Sequence, residues 1–136
     1  MNPSATPRAS SHGQRARAGG FILRVHDGRL EVLLMRRFKS ERGEYFVVPG
    51  GSVEDAERFE DAATRELEEE TGVQFTLERQ LYESVNPRSG RVAHYFVARW
   101  NGGEPQLHHA SPEALERQSA QNRYAPTWVA ADAVCE

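Results

Sequence analysis

Residues Arg65–Gly72 read RELEEETG, placing the four glutamates Glu66, Glu68, Glu69 and Glu70 within five consecutive positions. Like charges three or four apart on a helix repel by about 0.2–0.5 kcal/mol per pair. The surroundings nonetheless spell a helix over 58–71, rich in Glu, Ala, Arg and Leu, with Gly72 where a C-terminal cap glycine belongs. At about 100° per residue, and with Glu66 at zero, Glu70 falls at about 40°, Glu69 at about 300° and Glu68 at about 200°. Three carboxylates therefore share one arc and the fourth points away. Ala63 and Leu67, at about 60° and 100°, are placed to face a core. No lysine or arginine is spaced to neutralise Glu66, Glu69 and Glu70 together. The charge also crowds the end of the helix where the dipole disfavours anions. These costs make sense if a hard divalent cation sits on that face. Oxygen ligands suit Mg2+ or Mn2+, and the ligand-loop spacing usual for calcium is absent. Ions of that kind serve phosphoryl chemistry, by neutralising phosphates and lowering the pKa of water.

The acidity is local. Residues 54–70 carry nine acids against Arg58 and Arg65, or −7; the whole chain is −3, so the remainder is +4. Such a balance suits a polyanionic ligand that arrives with its own cations; the net charge is too small to argue for nucleic acid or an acidic membrane surface, and with no extended basic stripe for RNA neither a membrane nor nucleic acid is the expected partner. The 136 residues fit one domain, and 38% hydrophobic with 27% charged residues is the composition of a globular protein. No apolar run approaches the ~20 residues that span a bilayer. Cys135 is the single cysteine, so an internal disulfide and a cysteine zinc site are excluded and a cytoplasmic setting is expected.

Working outward from the helix, residues 1–18 are rich in Ser, Ala, Pro and Arg and read as a disordered tail, leaving 19–136 as the folded domain. Strands are expected at 21–25 and 30–35 about the turn Asp27-Gly28, then at 45–48, stopped by Pro49-Gly50-Gly51. Residues 36–44 read as a polar loop. Strands follow at 74–85 and 92–100 about a turn at 86–90. Ser111-Pro112 marks a short helix, 127–129 a last strand and 130–134 the start of a helix. The sequence stops at Glu136, so that last helix is expected to be short or truncated.

The pattern Gly51-x5-Glu57-x7-Arg65-Glu66-Leu67-x-Glu69-Glu70-x-Gly72-Val73 resembles the Nudix box at every defined position, over 23 of the 136 residues. The resemblance implies an α/β Nudix fold, a mixed β-sheet sandwiched between α-helices. It also implies Mg2+- or Mn2+-dependent hydrolysis of a nucleoside diphosphate linked to another moiety: a nucleoside triphosphate, an oxidised dNTP, a nucleoside diphosphate, a nucleotide sugar or ADP-ribose. By position, Glu66, Glu69 and Glu70 would bind metal, with the Gly50 carbonyl as a further ligand. Arg65 and Glu57 would pair, while Gly51 and Gly72 would permit turns. Arg65 lies beside the glutamate face, where a guanidinium can brace a carboxylate bidentately. Glu66 is the favoured general base, Glu69 or Glu70 the rivals, and Glu83, His94 and Glu104 reserves outside the box. The catalytic set is thus Glu66, Glu69 and Arg65.

Substrate choice in this family lies outside the box. Arg36, Arg37, Lys39 and Arg42 before it, and Arg88, Arg91 and Arg123 after it, can reach phosphates. Tyr45, Phe46, Tyr95, Tyr124 and Trp128 can stack a base or ribose. From these, Arg36, Arg37, Tyr45, Arg91 and Tyr124 form the expected substrate-contacting set. Pro87 lies near, but not at, the position where ADP-ribose pyrophosphatases of the family tend to carry a proline. The partner is expected to be a small-molecule nucleotide, and the protein a monomer or homodimer. The competing reading is a Nudix-fold sensor that binds a nucleotide without turnover. A prenyl diphosphate isomerase would need an active-site cysteine, for which Cys135 is poorly placed.

Overall fold

The computed structural model describes residues 15–106 and 122–134. Strands β1 (Arg17–His26) and β2 (Arg29–Lys39) form an antiparallel hairpin. Asp27 and Gly28 between them have φ of 54° and 76°, the paired positive values that a two-residue type I′ turn needs. Then come β3 (Gly43–Val47), β4 (Gly50–Ser52), helix α1 (Phe59–Thr71), β5 (Gln74–Val85), β6 (Val92–Gly102), β7 (Asn122–Ala130) and a four-residue helix α2 (Ala131–Val134).

The strands make one mixed sheet in the order β3-β2-β1-β6-β5, with β4 beside β1 and β7 beside β2. Every pairing is antiparallel except β1 with β6. On one edge, β1 offers Ile22–His26 to β2 and Arg17–Gly19 to β4. Likewise β2 passes from β1 to β3 along one edge while β7 follows the other. The chain between β3 and β4 therefore crosses from one half of the sheet to the other at Val48-Pro49, bringing Gly50 and Gly51 under α1.

Helix α1 lies on the sheet through Ala62, Ala63 and Leu67, all fully buried. Ala62 and Ala63 meet Ala18, Val53 and Phe96, and Leu67 meets Ile22, Leu33, Val73 and Ala98. Two alanines against Ala18 let the helix approach closely at its N-terminal half, while its C-terminal half reaches β4 through Arg65, Glu66 and Glu70. Glu68 is exposed and Glu66, Glu69 and Glu70 are partly buried, as the helical arc requires.

The helix ends at Gly72, whose φ of 70° lies in the left-handed region and whose N–H donates to the Glu68 carbonyl at 3.1 Å. A Cβ there would stand 2.7 Å from the Gln106 carbonyl oxygen. Gly72→Ala is expected to cost about 1–2 kcal/mol from the left-handed backbone alone, read as a lower denaturation midpoint. An unchanged midpoint would show that the turn can relax.

Three expectations are corrected. The chain expected to be tail up to residue 18 joins the sheet at Arg17, and Ala18 is fully buried; Arg15 and Arg17 donate to the carbonyls of Val53 (3.0 Å) and Val48 (3.2 Å). Residues 36–44 are not one loop: β2 runs to Lys39 and β3 starts at Gly43, because pairing with β3 and β7 on both edges carries these polar residues in the ladder. Gly50–Ser52 is a strand as well as a turn. Residues 1–14, the expected helix after Ser111-Pro112, and Cys135 lie outside the described residues. No helix among the described residues is long and apolar enough to cross a membrane.

Candidate functional site

Arg65 is the centre of the site. Its Nε donates to Glu57 Oε2 at 2.9 Å and its Nη2 to Glu57 Oε1 at 3.0 Å, a two-pronged pairing across the turn that leads into α1. Nη2 also reaches the Ser52 carbonyl at 3.1 Å, and Nη1 reaches Glu66 Oε2 at 2.9 Å. Nη1 stands 4.0 Å from Glu69. One guanidinium thus ties the β4 strand, the following loop and the glutamate face together. It also relieves part of the repulsion that spacing alone left unrelieved. The Glu57 partnership holds the Arg65 pKa well above its ordinary value. In return, the Arg65 hydrogen bond pulls Glu57 below the usual carboxylate range.

The Glu66 side chain is enclosed, 13% exposed against 44% for Glu69. Burial pushes its pKa up, Arg65 opposes that, the Glu69 charge adds to it, and Arg17 opposes it again. A Cβ on Gly51 would fall on the Glu66 carboxylate, so glycine at 51 is what lets this group lie flat against β4. Glu70 accepts the Gly50 N–H at 3.1 Å. The peptide around Gly50 is therefore fixed to α1 by its amide.

Among the described residues no three acidic or histidine side chains already form a ligating group. Their chemistry nonetheless fits a hard divalent ion. Glu66, Glu69 and Glu70 offer only oxygen donors, one of them buried and flanked by like charge, beside a glycine strand with no side chain in the way.

The expected substrate residues fall into two groups. Arg37, Tyr45 and Tyr124 are cross-strand partners on β2, β3 and β7. The Arg37 guanidinium lies 5.9 Å from the Tyr45 ring centre and 5.6 Å from that of Tyr124, while Arg42 covers Tyr45 at 4.2 Å. The buried Arg37 Nε has no hydrogen-bond partner among the described residues. Arg36 is exposed and faces Glu44 at 3.6 Å. Arg91 is elsewhere, beside the box: its Nη2 donates to Ser52 Oγ at 2.6 Å and its Nε to the Arg15 carbonyl at 2.8 Å. Sequence reasoning missed Arg17, whose charge acts on both Glu66 and Arg91, because it was assigned to the tail.

Of the reserve bases, Glu104 is exposed after β6. His94 is a packing residue: it stacks on Phe59 with ring centres 3.8 Å apart, and its Nδ1 faces Gln80 Nε2 at 3.1 Å and Glu83 at 3.4 Å. Burial pushes its pKa down, against the pull of Glu83.

A family model described as NUDIX domain matches residues 13–134. Among solved structures, the MutT NUDIX hydrolase from Burkholderia pseudomallei is 27% identical, with 88% of this chain and 84% of that one covered and a TM-score of 0.53. A C. elegans Ap4A hydrolase binary complex is 26% identical over 68% and 72%, with a TM-score of 0.57. The NUDIX domain of Shewanella oneidensis NrtR complexed with ADP ribose has the same fold, with a TM-score of 0.63, 22% identity and coverage of 99% and 81%.

Proposed function

The chain belongs to the NUDIX domain family, and from that premise we propose that it is a divalent-metal-dependent pyrophosphohydrolase acting on a nucleoside diphosphate linked to another group. The observation that carries the reading is the Arg65 clamp. One side chain holds Glu57, Glu66 and the Ser52 carbonyl at 2.9–3.1 Å, which fixes a carboxylate where a reacting phosphate would lie. The likeness to the C. elegans Ap4A hydrolase and the Burkholderia MutT hydrolase supports it.

Glu66, Glu69 and Glu70, with the Gly50 peptide, would hold Mg2+ or Mn2+. Bound there, such an ion neutralises the diphosphate and makes water more acidic. The chain's own residues do the rest. Glu66, enclosed and raised in pKa by burial, is the proposed general base; it takes a proton from water, whose oxygen bonds to phosphorus as the bridging P–O bond breaks and the second phosphate departs. Arg65 keeps the Glu66 carboxylate oriented through that transfer. Glu69 is the more solvated carboxylate, 44% exposed.

The test is phosphate release from a panel of nucleoside triphosphates, 8-oxo-dGTP, nucleoside diphosphates, nucleotide sugars, dinucleoside polyphosphates and ADP-ribose, with Mg2+, with Mn2+ and with chelator. Turnover that needs the ion and yields a nucleotide is expected. Tight binding of a nucleotide with no release would make the protein a sensor instead. Calorimetry that finds no divalent ion associating, with or without nucleotide, would remove the basis of the reading.

A further inference from the structure

Strand β4 is three residues long, and the site depends on where it lies. It pairs with β1 only over Arg17, Ala18 and Gly19. Yet it supplies the Gly50 peptide held by Glu70 and the Gly51 backbone against which Glu66 lies. Two guanidiniums from other elements add to that short ladder. Arg65, on α1, donates to the Ser52 carbonyl at 3.1 Å. Arg91, just before β6, donates through Nη2 to Ser52 Oγ at 2.6 Å and through Nε to the Arg15 carbonyl at 2.8 Å. Arg15 in turn donates to the Val53 carbonyl at 3.0 Å. Arg91 therefore joins the starts of β1 and β6 to the end of β4.

The turn between β5 and β6 is built to hold Arg91. Asn86 Oδ1 accepts the N–H groups of Arg88 at 2.8 Å and Ser89 at 3.2 Å, the local bonding that suits asparagine to turns. Gly90, with φ of 77°, donates to the Asn86 carbonyl at 2.8 Å. The Arg91 N–H donates to Ser89 Oγ at 3.1 Å, and its carbonyl accepts the Asn86 N–H at 2.9 Å. Both backbone groups of Arg91 are thus fixed. Its surroundings are poor for a cation: burial and the Arg17 charge push its pKa down. Its side-chain hydrogen bonds go to a hydroxyl and a carbonyl, not to a carboxylate. The planar fork of a guanidinium is what holds two such acceptors at a set angle.

We propose that Arg91 is a positioning residue, acting through Ser52 to hold β4, and with it the Gly50 and Gly51 backbone, in place against the glutamates of α1. This rests on the hydrolase reading, because it takes those glutamates to hold the metal. It gives Arg91 a role different from the phosphate contact expected of it. The two roles separate cleanly: a residue that touches phosphate acts without Ser52, and a residue that positions β4 acts through it.

Arg91→Ala, Ser52→Ala and the double variant test it, by calorimetric titration with Mn2+ alone and by steady-state kinetics on the best substrate of the turnover panel. Each single variant is expected to weaken Mn2+ binding and to lower kcat by about tenfold, the low end of the loss typical of supporting residues around a metal, with KM nearly unchanged. The double variant should lose no more than Arg91→Ala, because the two residues act as one unit. Arg91→Lys, which keeps the charge without the fork, should restore little. The Mn2+ affinity of the folded protein is a readout that a mere loss of stability leaves alone. Wild-type behaviour of Ser52→Ala beside a raised KM in Arg91→Ala would make Arg91 a substrate contact and overturn the proposal. Unchanged Mn2+ affinity in all three variants would also overturn it, while the turnover panel judges the hydrolase reading separately. Failure of wild type to bind Mn2+ would overturn both.

Discussion

Replacing Glu66 by glutamine should lower kcat by about 10²–10⁴-fold, the range over which a positioned general base contributes, while the protein stays folded. The fold should survive because Glu66 makes no contribution to the Leu67 packing beside it, and because glutamine keeps the volume against Gly51. Stability in metal-free buffer can even rise. Burial raises the pKa of Glu66 in the folded state, so ionisation favours the unfolded chain as pH rises past the ordinary carboxylate value. At neutral pH that cost is present in wild type and absent from the neutral isostere. Loss of the 2.9 Å contact with Arg65 works the other way, so the expected result is a midpoint no lower than wild type by more than about 1 kcal/mol.

Mg2+ separates the catalytic effect from a structural one. An ion that binds only the folded state raises its stability by RT ln(1 + [L]/Kd). The midpoint of wild type should climb with Mg2+, and that of Glu66→Gln should climb less. Glu69→Gln and Glu70→Gln should also lose turnover by orders of magnitude. For Glu70 the amide oxygen of glutamine can still accept the Gly50 N–H, so its loss would report charge and not the position of the loop. Full turnover by all three variants would end the metal-site proposal.

The helix and its glutamates were legible because one periodicity decides them: the same 3.6-residue turn that buries Ala63 and Leu67 exposes Glu68. The limits of β5 at Gln74 and Val85 were readable because a capping glycine and a turn bound it on either side. What could not be read was decided by partners distant in sequence. Arg17-Ala18 has the composition of a tail, yet it pairs with Ser52, Gly51, Ala93 and His94. Arg36–Lys39 has the composition of a loop, yet β3 and β7 hold it as strand. The site shows the same division. The residues of the box stand at fixed spacing within one segment, whereas Arg17 and Arg91 reach it only through the pairing of β1 with β4 and the contact of Arg91 with Ser52.

Replacing Arg65 by alanine should lower both activity and stability, and stability more than any of the glutamine variants. The side chain makes hydrogen bonds to Glu57, Glu66 and the Ser52 carbonyl, and its removal leaves two partly buried carboxylates, 16% and 13% exposed, without their shared cation. A charge-assisted hydrogen bond is worth about 1.5–3 kcal/mol, so a destabilisation of about 2 kcal/mol is expected, together with a loss of about 10–100-fold in kcat from the disoriented Glu66. Arg65→Lys keeps the charge but has no planar fork; it should recover part of the stability and little of the rate. The acid limb of the stability curve identifies the partner. Arg65 holds the Glu57 pKa down in the folded state, so this pair's contribution is complete above the ordinary carboxylate value and disappears as pH falls through the lowered one. In Arg65→Ala that part of the acid sensitivity should vanish, and adding Glu57→Gln to it should cost much less than Glu57→Gln costs alone. Additive losses in the double variant would mean that the two residues act separately and that Arg65 holds the glutamate face by itself.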